Sequence, residues 1–548
     1  MIYLSCLPNR PTAVRLLFLL LVSLPAPLWA QSFTSSNLPI VVIETQGQSI
    51  VDEPKVIVRM RIIDNGEGVR NRLTDPATDY DGWAGIEIRG ASSQSFPKKQ
   101  YGFETRDADG EGRDVSLLGF PEEEDWILHA PYSDKSLMRN VLTYRLARSM
   151  GRYASRTRYC EVVLDGQYQG VYVLMEKIKR DKNQVDVNNL KEDETSGDDL
   201  TGGYVVQIDR REDGWASSFA GAHSRFHPYY QFNEPGVDDI VPEQQAYIRQ
   251  FLFDFESTMA SDGFEDEVAG YPSLIDEGSF VDLFLLNELG ANVDGYRLSS
   301  YLHKEKDSID SLLHAGPVWD FNLAFGNADY YDGAATSGFR YEADLRGDSY
   351  PVPFWWTRLA ESERFADKTA LRWAELRTGP MHEDSLMAAI DATAALLDES
   401  QARNFIRWPV LGRYVWPNAY VGDTYAQEVD YLKRWLRERL AWMDAELNSS
   451  PVAQDAPLPA SGFALSPPSP TPSRTRAAFT LRLDAAQHVA AALFDARGRH
   501  VATVHDGTLG PGEHPFGINV AALSAGVYLI RVQGDFGVAS TRLIAIGR

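Results

Sequence analysis

The feature that most constrains this chain is a proline-rich interval that divides it in two. Between Asn448 and Arg474 the sequence holds seven prolines among many serines and alanines, and no apolar period runs through the interval. This composition is typical of a linker, because proline lacks a backbone N–H and continues neither a helix nor a central strand. We therefore predict a linker at 448–474 and folded units at 31–447 and 475–548.

The first thirty residues have the pattern of a secretory signal peptide. Arg10 and Arg15 precede the apolar run 16–22, and the small residue Ala30 closes the segment. The mature chain is expected to begin near Gln31. The apolar run is too short to span a bilayer, and no later stretch is as apolar, so no transmembrane span is expected.

Charge and cysteine content exclude two classes of protein. The formal net charge is -24, which argues against nonspecific nucleic-acid binding because that binding needs a basic surface. The sequence has two cysteines, and Cys6 lies in the predicted signal peptide. Cys160 is then left without an intrachain partner, so we expect no disulfide framework.

The order of apolar patterns predicts an α+β fold before the linker. Strand-like runs come first, at 40–44, 56–62 and 84–89. Helical periods come last, as in 425–447. Strands followed by helices favour two segregated layers.

Short strand-like runs also follow the linker, at 478–483, 489–494 and 526–532, with turn signals between them. This spacing predicts a small all-β sandwich at 475–548.

A turn rich in small and hydroxyl residues lies between two predicted strands, from Arg89 to Tyr101. It contains Ser92, Ser93 and Ser95 and is followed at once by Lys98 and Lys99. Backbone N–H groups, hydroxyls and lysines in this order can cradle phosphate oxygens. An ordinary hairpin turn with surface lysines stays open as an alternative, because the spacing is not that of a P-loop.

Two aspartates follow elements that would carry them into one cleft. Asp276 is a predicted N-cap of a helix that ends at Gly290, and Asp294 lies in the loop beyond it. A predicted strand pair then delivers Asp320, with Asn322 two residues later. Each aspartate alone would usually cap or turn the chain. Together they match phosphoryl transfer, in which one carboxylate orients the acceptor hydroxyl and another holds Mg²⁺.

Five separated blocks carry a resemblance that extends over nearly the whole of residues 40–445. The blocks are 89–93 with 97–99, 125–128, 170–178, 292–297 and 316–321. Together they resemble the CotH kinase family of atypical kinases.

The resemblance implies an atypical protein-kinase-like, two-lobed domain that binds ATP between its lobes and phosphorylates serine or threonine of a protein. Mg²⁺ is the expected metal, with Mn²⁺ or Ca²⁺ as alternatives. Asp294 would be the catalytic carboxylate, and Asp320 and Asn322 the metal ligands. The residues assigned by resemblance to ATP are Arg89, Ser93, Lys98, Lys99, Glu176 and Ile178, the last two in a segment that receives adenine.

The chain departs from the family pattern at two places. Asn322 stands where the family commonly has an acidic residue, and a neutral amide oxygen would bind a metal less tightly. The predicted helix at 134–147 has no glutamate to hold a phosphate-binding lysine, as ordinary kinases require.

The C-terminal unit resembles the type A sorting domain of the type IX secretion system, through 526–532 and 542–545. This resemblance implies partners in the secretion machinery and a secreted or cell-surface location, where the protein substrate would also be found.

Two other functions remain open from sequence. One is a catalytically silent surface structural or adhesion protein with the same fold. The other is a carbohydrate-associated protein, which the twelve tryptophans support, among them Trp355, Trp356, Trp408 and Trp416. Most of these rings are expected in the core, because sugar platforms need exposed rings.

Overall fold

The computed structural model describes residues 33–345, 347–447, 463–466, 468, 473–483, 485–495, 500–524, 526–534 and 537–545. The predicted signal peptide and most of the predicted linker lie outside the described residues. The chain is α+β, as predicted, and the described part holds seven α-helices and several sheets.

The regular elements of residues 33–176 are mostly strands. In chain order the elements are β1 (Ser35–Ser36), β2 (Ile40–Glu44), β3 (Val56–Ile63), β4 (Asn71–Arg72), β5 (Tyr80–Arg89), β6 (Gln100–Arg106), β7 (Asp125–His129), α1 (Arg139–Ser149), β8 (Thr157–Leu164) and β9 (Gln167–Glu176). Seven of the strands close into a barrel in the order β2-β3-β5-β6-β7-β9-β8. Val58, Met60 and Ile62 alternate along β3 and are fully buried in the barrel core, as expected from the two-residue period of a strand.

The β8–β9 hairpin has the tight turn that its Asp165-Gly166 dipeptide predicts. Leu164 pairs with Gln167, so Asp165 and Gly166 form a two-residue connection. Their φ values are 46° and 75°, the left-handed values that a type I′ turn requires and that Asp-Gly tolerates.

The middle of the chain builds a second sheet and two helices. The elements are β10 (Tyr204–Ile208), β11 (Gly214–Ala216), β12 (Tyr229–Glu234), α2 (Pro242–Ala260), α3 (Glu277–Gly290), β13 (Ser300–Lys304) and β14 (Leu313–Ala315). The strands pair in the order β11-β12-β10-β13-β14. Asp276 caps α3, as predicted, by accepting hydrogen bonds from the backbone N–H groups of Gly278 and Ser279.

The second strand of the pair predicted before Asp320 is expected over 312–319, and the strand found there, β14, is shorter. It ends before Gly316, whose φ is 109°, and before Pro317, which has no N–H to donate to a neighbouring strand. The segment that carries Asp320 therefore leaves the sheet as irregular backbone.

Four helices complete the region before the predicted linker: α4 (Phe354–Glu361), α5 (Glu363–Arg377), α6 (Glu383–Arg407) and α7 (Tyr425–Leu447). Helix α7 has the predicted bounds, and its apolar residues at three- and four-residue steps are buried. No helix in the described ranges is long and apolar enough to cross a membrane.

The C-terminal residues form two sheets around one core, in agreement with the predicted strands. The strands are β15 (Phe463–Leu465), β16 (Arg476–Leu483), β17 (Gln487–Asp495), β18 (His500–Leu509), β19 (Gly512–Asn519), β20 (Gly526–Gly534) and β21 (Gly537–Ala545). The sheets have the orders β15-β16-β19 and β18-β17-β20-β21. Strand β15 lies inside the interval predicted as a linker, where Phe463 pairs with Leu483.

A buried ion pair joins α7 to α3. The Arg439 and Glu288 side chains are both fully buried, and Arg439 Nη2 lies 3.1 Å from Glu288 Oε2. Glu288 also accepts from the Tyr296 hydroxyl at 2.8 Å and from the backbone N–H of Arg340. Burial lowers the pKa of Arg439 to about 10 although Glu288 opposes the shift, so desolvation of this pair is large.

Arg439→Met should destabilise the protein by about 3–5 kcal/mol, because it leaves the Glu288 carboxylate buried without its cation. Arg437→Met on the same helix is the matched control, since the Arg437–Glu383 pair is about half exposed and should contribute at most about 1 kcal/mol. Urea denaturation measures both free energies of unfolding. Equal losses in the two variants would contradict the role given to the buried pair.

Candidate active site

A cavity of about 410 Å³ lies where the rim of the barrel, the five-stranded sheet and the loop after α3 meet. This volume is in the range of small-molecule sites, about 300–1,000 Å³. The lining side chains that bear on chemistry are Arg89, Ser93, Tyr144, Lys177, Ile178, Asp209, Arg210, Asp294, Asp320 and Asn322. The predicted catalytic aspartate and both predicted metal ligands thus face one space.

Asp294 is held by the turn that follows α3. Its Oδ1 accepts from Arg297 Nη2 at 3.0 Å, and its backbone oxygen accepts from the N–H of Leu298 at 3.0 Å. Arg297 is itself buried and also binds Asp348 Oδ2 at 2.9 Å. The carboxylate of Asp294 is therefore fixed at the wall of the cavity, with its side chain 18% exposed.

Asp320 adopts a left-handed backbone conformation, with φ of 56°. Its N–H donates to the hydroxyl of Tyr144 at 3.1 Å, and the Tyr144 ring stacks on Trp319 at 6.0 Å. A non-glycine residue in this region carries a strain of order 1–3 kcal/mol, which surrounding contacts must offset. Such residues cluster at functional sites, where the strained backbone aims a side chain.

Two like charges in one partly desolvated cavity raise each other's energy. Burial raises the pKa of Asp320 to about 6, and the charges of Asp294 and Asp209 add to the rise. Burial also raises the pKa of Asp294, although the Arg297 guanidinium opposes that shift. Both carboxylates would be relieved by a cation bound between or beside them.

Three cationic side chains line the same cavity. Arg89 has no carboxylate within salt-bridge distance among the described residues, and its guanidinium lies 5.8 Å from the Trp319 ring centre. Lys177 is exposed at the end of β9. Arg210 lies 3.8 Å from Asp209 and is 40% exposed. Four carboxylates, Asp209, Glu212, Asp294 and Asp320, line the cavity with these cations, so an anion of several charges would bind here together with a metal cation.

The predicted metal ligands fit Mg²⁺ in number and in chemistry. Asn322 Oδ1 is buried and has no hydrogen-bond partner among the described residues. No group of three or more His, Cys, Asp or Glu side chains in the described ranges is arranged to hold a metal. Mg²⁺ commonly takes one or two protein oxygens and fills its other positions with water and substrate phosphates. Asp320 and Asn322 are sufficient for that mode.

The comparisons with known proteins agree with the sequence blocks. The model of the CotH kinase protein family matches residues 86–443, which is more than half of the chain. The chain belongs to the CotH kinase family. No curated protein sequence matches it.

One solved structure, Pseudomonas fluorescens alkylpurine DNA glycosylase AlkC bound to DNA containing an abasic site analog, is similar at 14% sequence identity and a TM-score of 0.13. The alignment covers 35% of this chain and 65% of that chain, which is less than two thirds of its length. A likeness at this TM-score carries no argument about this CotH-family chain.

Three residues assigned to ATP by resemblance to the CotH family line the cavity: Arg89, Ser93 and Ile178. Ser93 belongs to the short 3-10 helix Ser92–Ser95, which follows Gly90 at φ of 101°. A Cβ on Gly90 would lie 2.1 Å from the Ser93 hydroxyl oxygen, so glycine lets this loop close tightly beside Arg89.

The other three assigned residues do not line the cavity. Lys98 is buried, and its Nζ donates to the Val171 carbonyl at 2.5 Å and to Asn404 Oδ1 at 3.0 Å. Burial lowers the pKa of Lys98 to about 7. Lys99 Nζ donates to the carbonyl of Gln94 at 2.6 Å. Both ammonium groups are thus engaged by protein groups, and neither residue is among those that line the cavity.

Glu176, the third of these residues, is a buried partner of Arg156, with Oε1 2.5 Å from Nη1. It fastens the end of β9 to the segment before β8. The neighbouring residues Met175, Lys177 and Ile178 are the ones that face the cavity.

Asp209, Lys177 and Tyr144 are cavity residues that sequence reasoning did not assign. Asp209 follows β10 and accepts from Ser299 N at 3.0 Å and from Gln207 Nε2 at 2.5 Å, so it fastens the end of the Asp294 loop to the sheet. An aspartate at a strand end was the same signal that pointed to Asp320, and it could have identified Asp209. No local signal in the sequence identifies Tyr144.

The tryptophans named for carbohydrate binding are mostly buried. Trp355 and Trp356 are each 1% exposed and Trp408 is 9% exposed. Trp416 is 47% exposed, stacks on Tyr330 and lines the cavity. A single exposed ring at the cavity mouth does not make the extended platform that a polysaccharide needs.

Replacing the buried carboxylate of Asp320 should stabilise the protein. Because the folded-state pKa of about 6 exceeds the unfolded value of about 4, ionisation of Asp320 removes stability as pH rises through that window. With allowance for partial exposure, Asp320→Asn should be more stable than wild type by roughly 1–2 kcal/mol at pH 7.5 without metal, and by less at pH 4.5.

The matched control is Asp332→Asn. Asp332 has the same left-handed conformation, with φ of 53°, but is exposed, so it reports any benefit of asparagine in that backbone region. Urea unfolding at both pH values gives the difference. A gain at pH 7.5 no larger than that of Asp332→Asn would contradict the desolvation argument.

Proposed function

We propose that this chain is a protein kinase that transfers the γ-phosphoryl group of ATP to serine or threonine of a protein substrate. The observation that carries the proposal is that Asp294 and Asp320, from separate elements, line one cavity together with Asn322 and three cationic side chains. Membership of the CotH kinase family supports the same reading. The barrel on one side of the cavity and the helical region on the other would act as the two lobes of a kinase.

Each carboxylate has its own role in the proposed reaction. The hydroxyl oxygen of the substrate serine or threonine bonds to the γ-phosphorus of ATP, and Asp294 accepts the proton of that hydroxyl. The bond between the γ-phosphorus and the ADP oxygen breaks, so ADP leaves. Asp320 and Asn322 hold the metal ion of the nucleotide. Mg-ATP, when bound, supplies the phosphoryl group and neutralises charge on its phosphates. Arg297 keeps Asp294 oriented without entering the cavity as a substrate ligand.

The phosphates are bound by Arg89 and Lys177 rather than by Lys98 or Lys99. Arg89 is free of carboxylate partners and lies beside the Gly90–Ser93 loop, whose N–H groups add donors. Lys177 supplies a second charge from the end of β9. The adenine ring would then lie against the Met175–Ile178 segment, in which Met175 and Ile178 are buried apolar residues at the cavity wall.

The proposed site of this activity is outside the cytoplasm. The basic and apolar pattern of residues 1–30 supports export as a signal peptide. The C-terminal pair of sheets, with the 526–532 and 542–545 motifs, supports recognition by the type IX secretion machinery. The protein substrate would accordingly be secreted or displayed at the cell surface.

The alternatives left open by the sequence receive less support. A catalytically silent surface protein would have no need of two carboxylates of raised pKa and an unpartnered amide oxygen in one cavity. A carbohydrate-associated role receives little support, because three of the four tryptophans named for it are buried.

The full-length chain should incorporate phosphate from labelled ATP into itself or into Ser-rich acceptor proteins when Mg²⁺ or Mn²⁺ is present. Asp320→Ala and Asp294→Ala should each lower the rate by at least about a hundredfold, because each removes a group that acts in the transition state. Asp332→Ala, at an exposed site, should leave the rate within about twofold of wild type. A wild-type chain that neither binds ATP nor incorporates phosphate would overturn the proposal.

Nucleotide affinity should separate the cavity cations from the buried lysine. Arg89→Gln and Lys177→Gln should each weaken ATP binding by roughly tenfold, because each removes a charge-assisted hydrogen bond to phosphate. Lys98→Met should leave ATP affinity within about twofold, since its ammonium group is bound to Val171 and Asn404. Calorimetric titration with ATP in Mg²⁺ measures all three. The opposite ranking would return the phosphate role to Lys98.

A further inference from the structure

Helix α1 holds the backbone that carries the metal-binding aspartate. Asn140 and Tyr144 lie four residues apart on one face of the helix. Tyr144 Oη accepts from the N–H of Asp320 at 3.1 Å, and Asn140 Oδ1 accepts from the N–H of Phe321 at 2.7 Å. Because Asp320 is left-handed, neither N–H can join a strand, and two side chains of α1 satisfy them instead.

The carboxamide of Asn140 is oriented by a histidine. Asn140 Nδ2 lies 3.5 Å from Nε2 of His129, and Nδ1 of His129 lies 2.7 Å from Gln100 Oε1. Since Asn140 must present its oxygen to Phe321, its nitrogen faces the histidine, so Nε2 must be the acceptor. The ring proton is then on Nδ1 and is donated to Gln100.

The contacts from Asn140 through His129 to Gln100 form a hydrogen-bond relay. The relay ends beside the Gly90–Ser93 loop, which is proposed to bind phosphate. Gln100 is the strand partner of Arg89, and Gly90 follows Arg89 directly. Gln100, His129 and Asn140 all line the cavity. A series of hydrogen bonds therefore runs from the Phe321 N–H, through Asn140 and His129, to Gln100 on β6, which pairs with Arg89 on β5.

The relay requires a neutral imidazole. His129 is buried at 6% exposure, and desolvation lowers its pKa to about 4. Asp134 opposes that shift, whereas Lys98 and Arg89 favour it. A charged ring would have protons on both nitrogens and would repel the Asn140 amide group.

We propose that His129 and Asn140 are positioning residues, which lock the Asp320 segment in its left-handed conformation and couple it to the Arg89 loop. The inference rests on the proposed function, because it assigns the locked conformation to metal binding. Neither residue is expected to contact the transferred phosphoryl group. This arrangement also gives α1 a role that needs no glutamate, in keeping with the absence of one from residues 134–147.

The test compares His129→Leu, which can neither donate nor accept, with His129→Gln, which keeps one donor and one acceptor. Asn140→Ala removes the next member of the relay. Thr143→Val is the matched control on α1, because Thr143 is also fully buried but its hydroxyl bonds only the helix carbonyl of Arg139. All variants are made in the full-length chain.

Hydrogen exchange of the Asp320 and Phe321 amides is read without metal or nucleotide. His129→Leu and Asn140→Ala should speed that exchange by about five- to tenfold, whereas His129→Gln and Thr143→Val should stay near wild type. The affinity for Mn²⁺ in the presence of ADP should also fall by about five- to tenfold in His129→Leu and in Asn140→Ala. The double variant of His129→Leu and Asn140→Ala should bind Mn²⁺ no more weakly than Asn140→Ala alone, because both substitutions act through the contact of Asn140 with Phe321.

The outcomes separate this inference from the proposed function. If the wild-type chain binds Mn²⁺, and His129→Leu changes neither amide exchange nor Mn²⁺ affinity, the inference is overturned and the proposed function is not. Fully additive losses in the double variant would also overturn it, because independent effects add. A wild-type chain that binds no Mn²⁺ in the presence of ADP would overturn the proposed function and the inference together.

Discussion

The burial of the Asp320 carboxylate beside Asp294 is the constraint on which the rest of the site depends. A carboxylate in a partly desolvated cavity has a raised pKa and a cost that the fold must offset, and a second carboxylate on the same cavity adds to that cost. The neighbouring residues treat the two carboxylates differently. Arg297 pairs directly with Asp294, whereas no cationic side chain among the described residues forms an ion pair with Asp320, whose backbone N–H is held by Tyr144. This asymmetry supports different roles for the two residues.

A single buried carboxylate, Glu288, anchors the cavity to the core. Glu288 on α3 accepts hydrogen bonds from Tyr296, which belongs to the Asp294 turn, and from Arg439 on α7. One buried carboxylate thus ties the last long helix to the loop that carries the proposed base. Rigid support of this kind is what a site needs when its reacting groups must be placed within a fraction of an ångström. Tertiary anchoring, rather than local propensity, sets the position of the loop.

Elements governed by neighbouring residues were predictable. The Asp165-Gly166 turn, the Asp276 cap and helix Tyr425–Leu447 each depend on contacts within a few residues of the chain, and each is found where the pattern predicts it. The cavity position of Asp294, Asp320 and Asn322 was also anticipated, because motif order placed them at the ends of adjacent elements. The burial of Lys98 was not anticipated from sequence, and its hydrogen bond to Asn404 joins residues that are distant in the chain.

The sequence by itself determined the α+β order, the strand-rich C-terminal unit, the family and the pair of aspartates, because periodicity, turn residues and motifs are local properties. Only the tertiary structure decided which cations face the cavity and what holds the Asp320 segment. The barrel closure between β2 and β8 and the contacts of α1 with residues 320–321 join parts of the chain more than a hundred residues apart. No local pattern records such contacts, since the side chains that make them are chosen by packing.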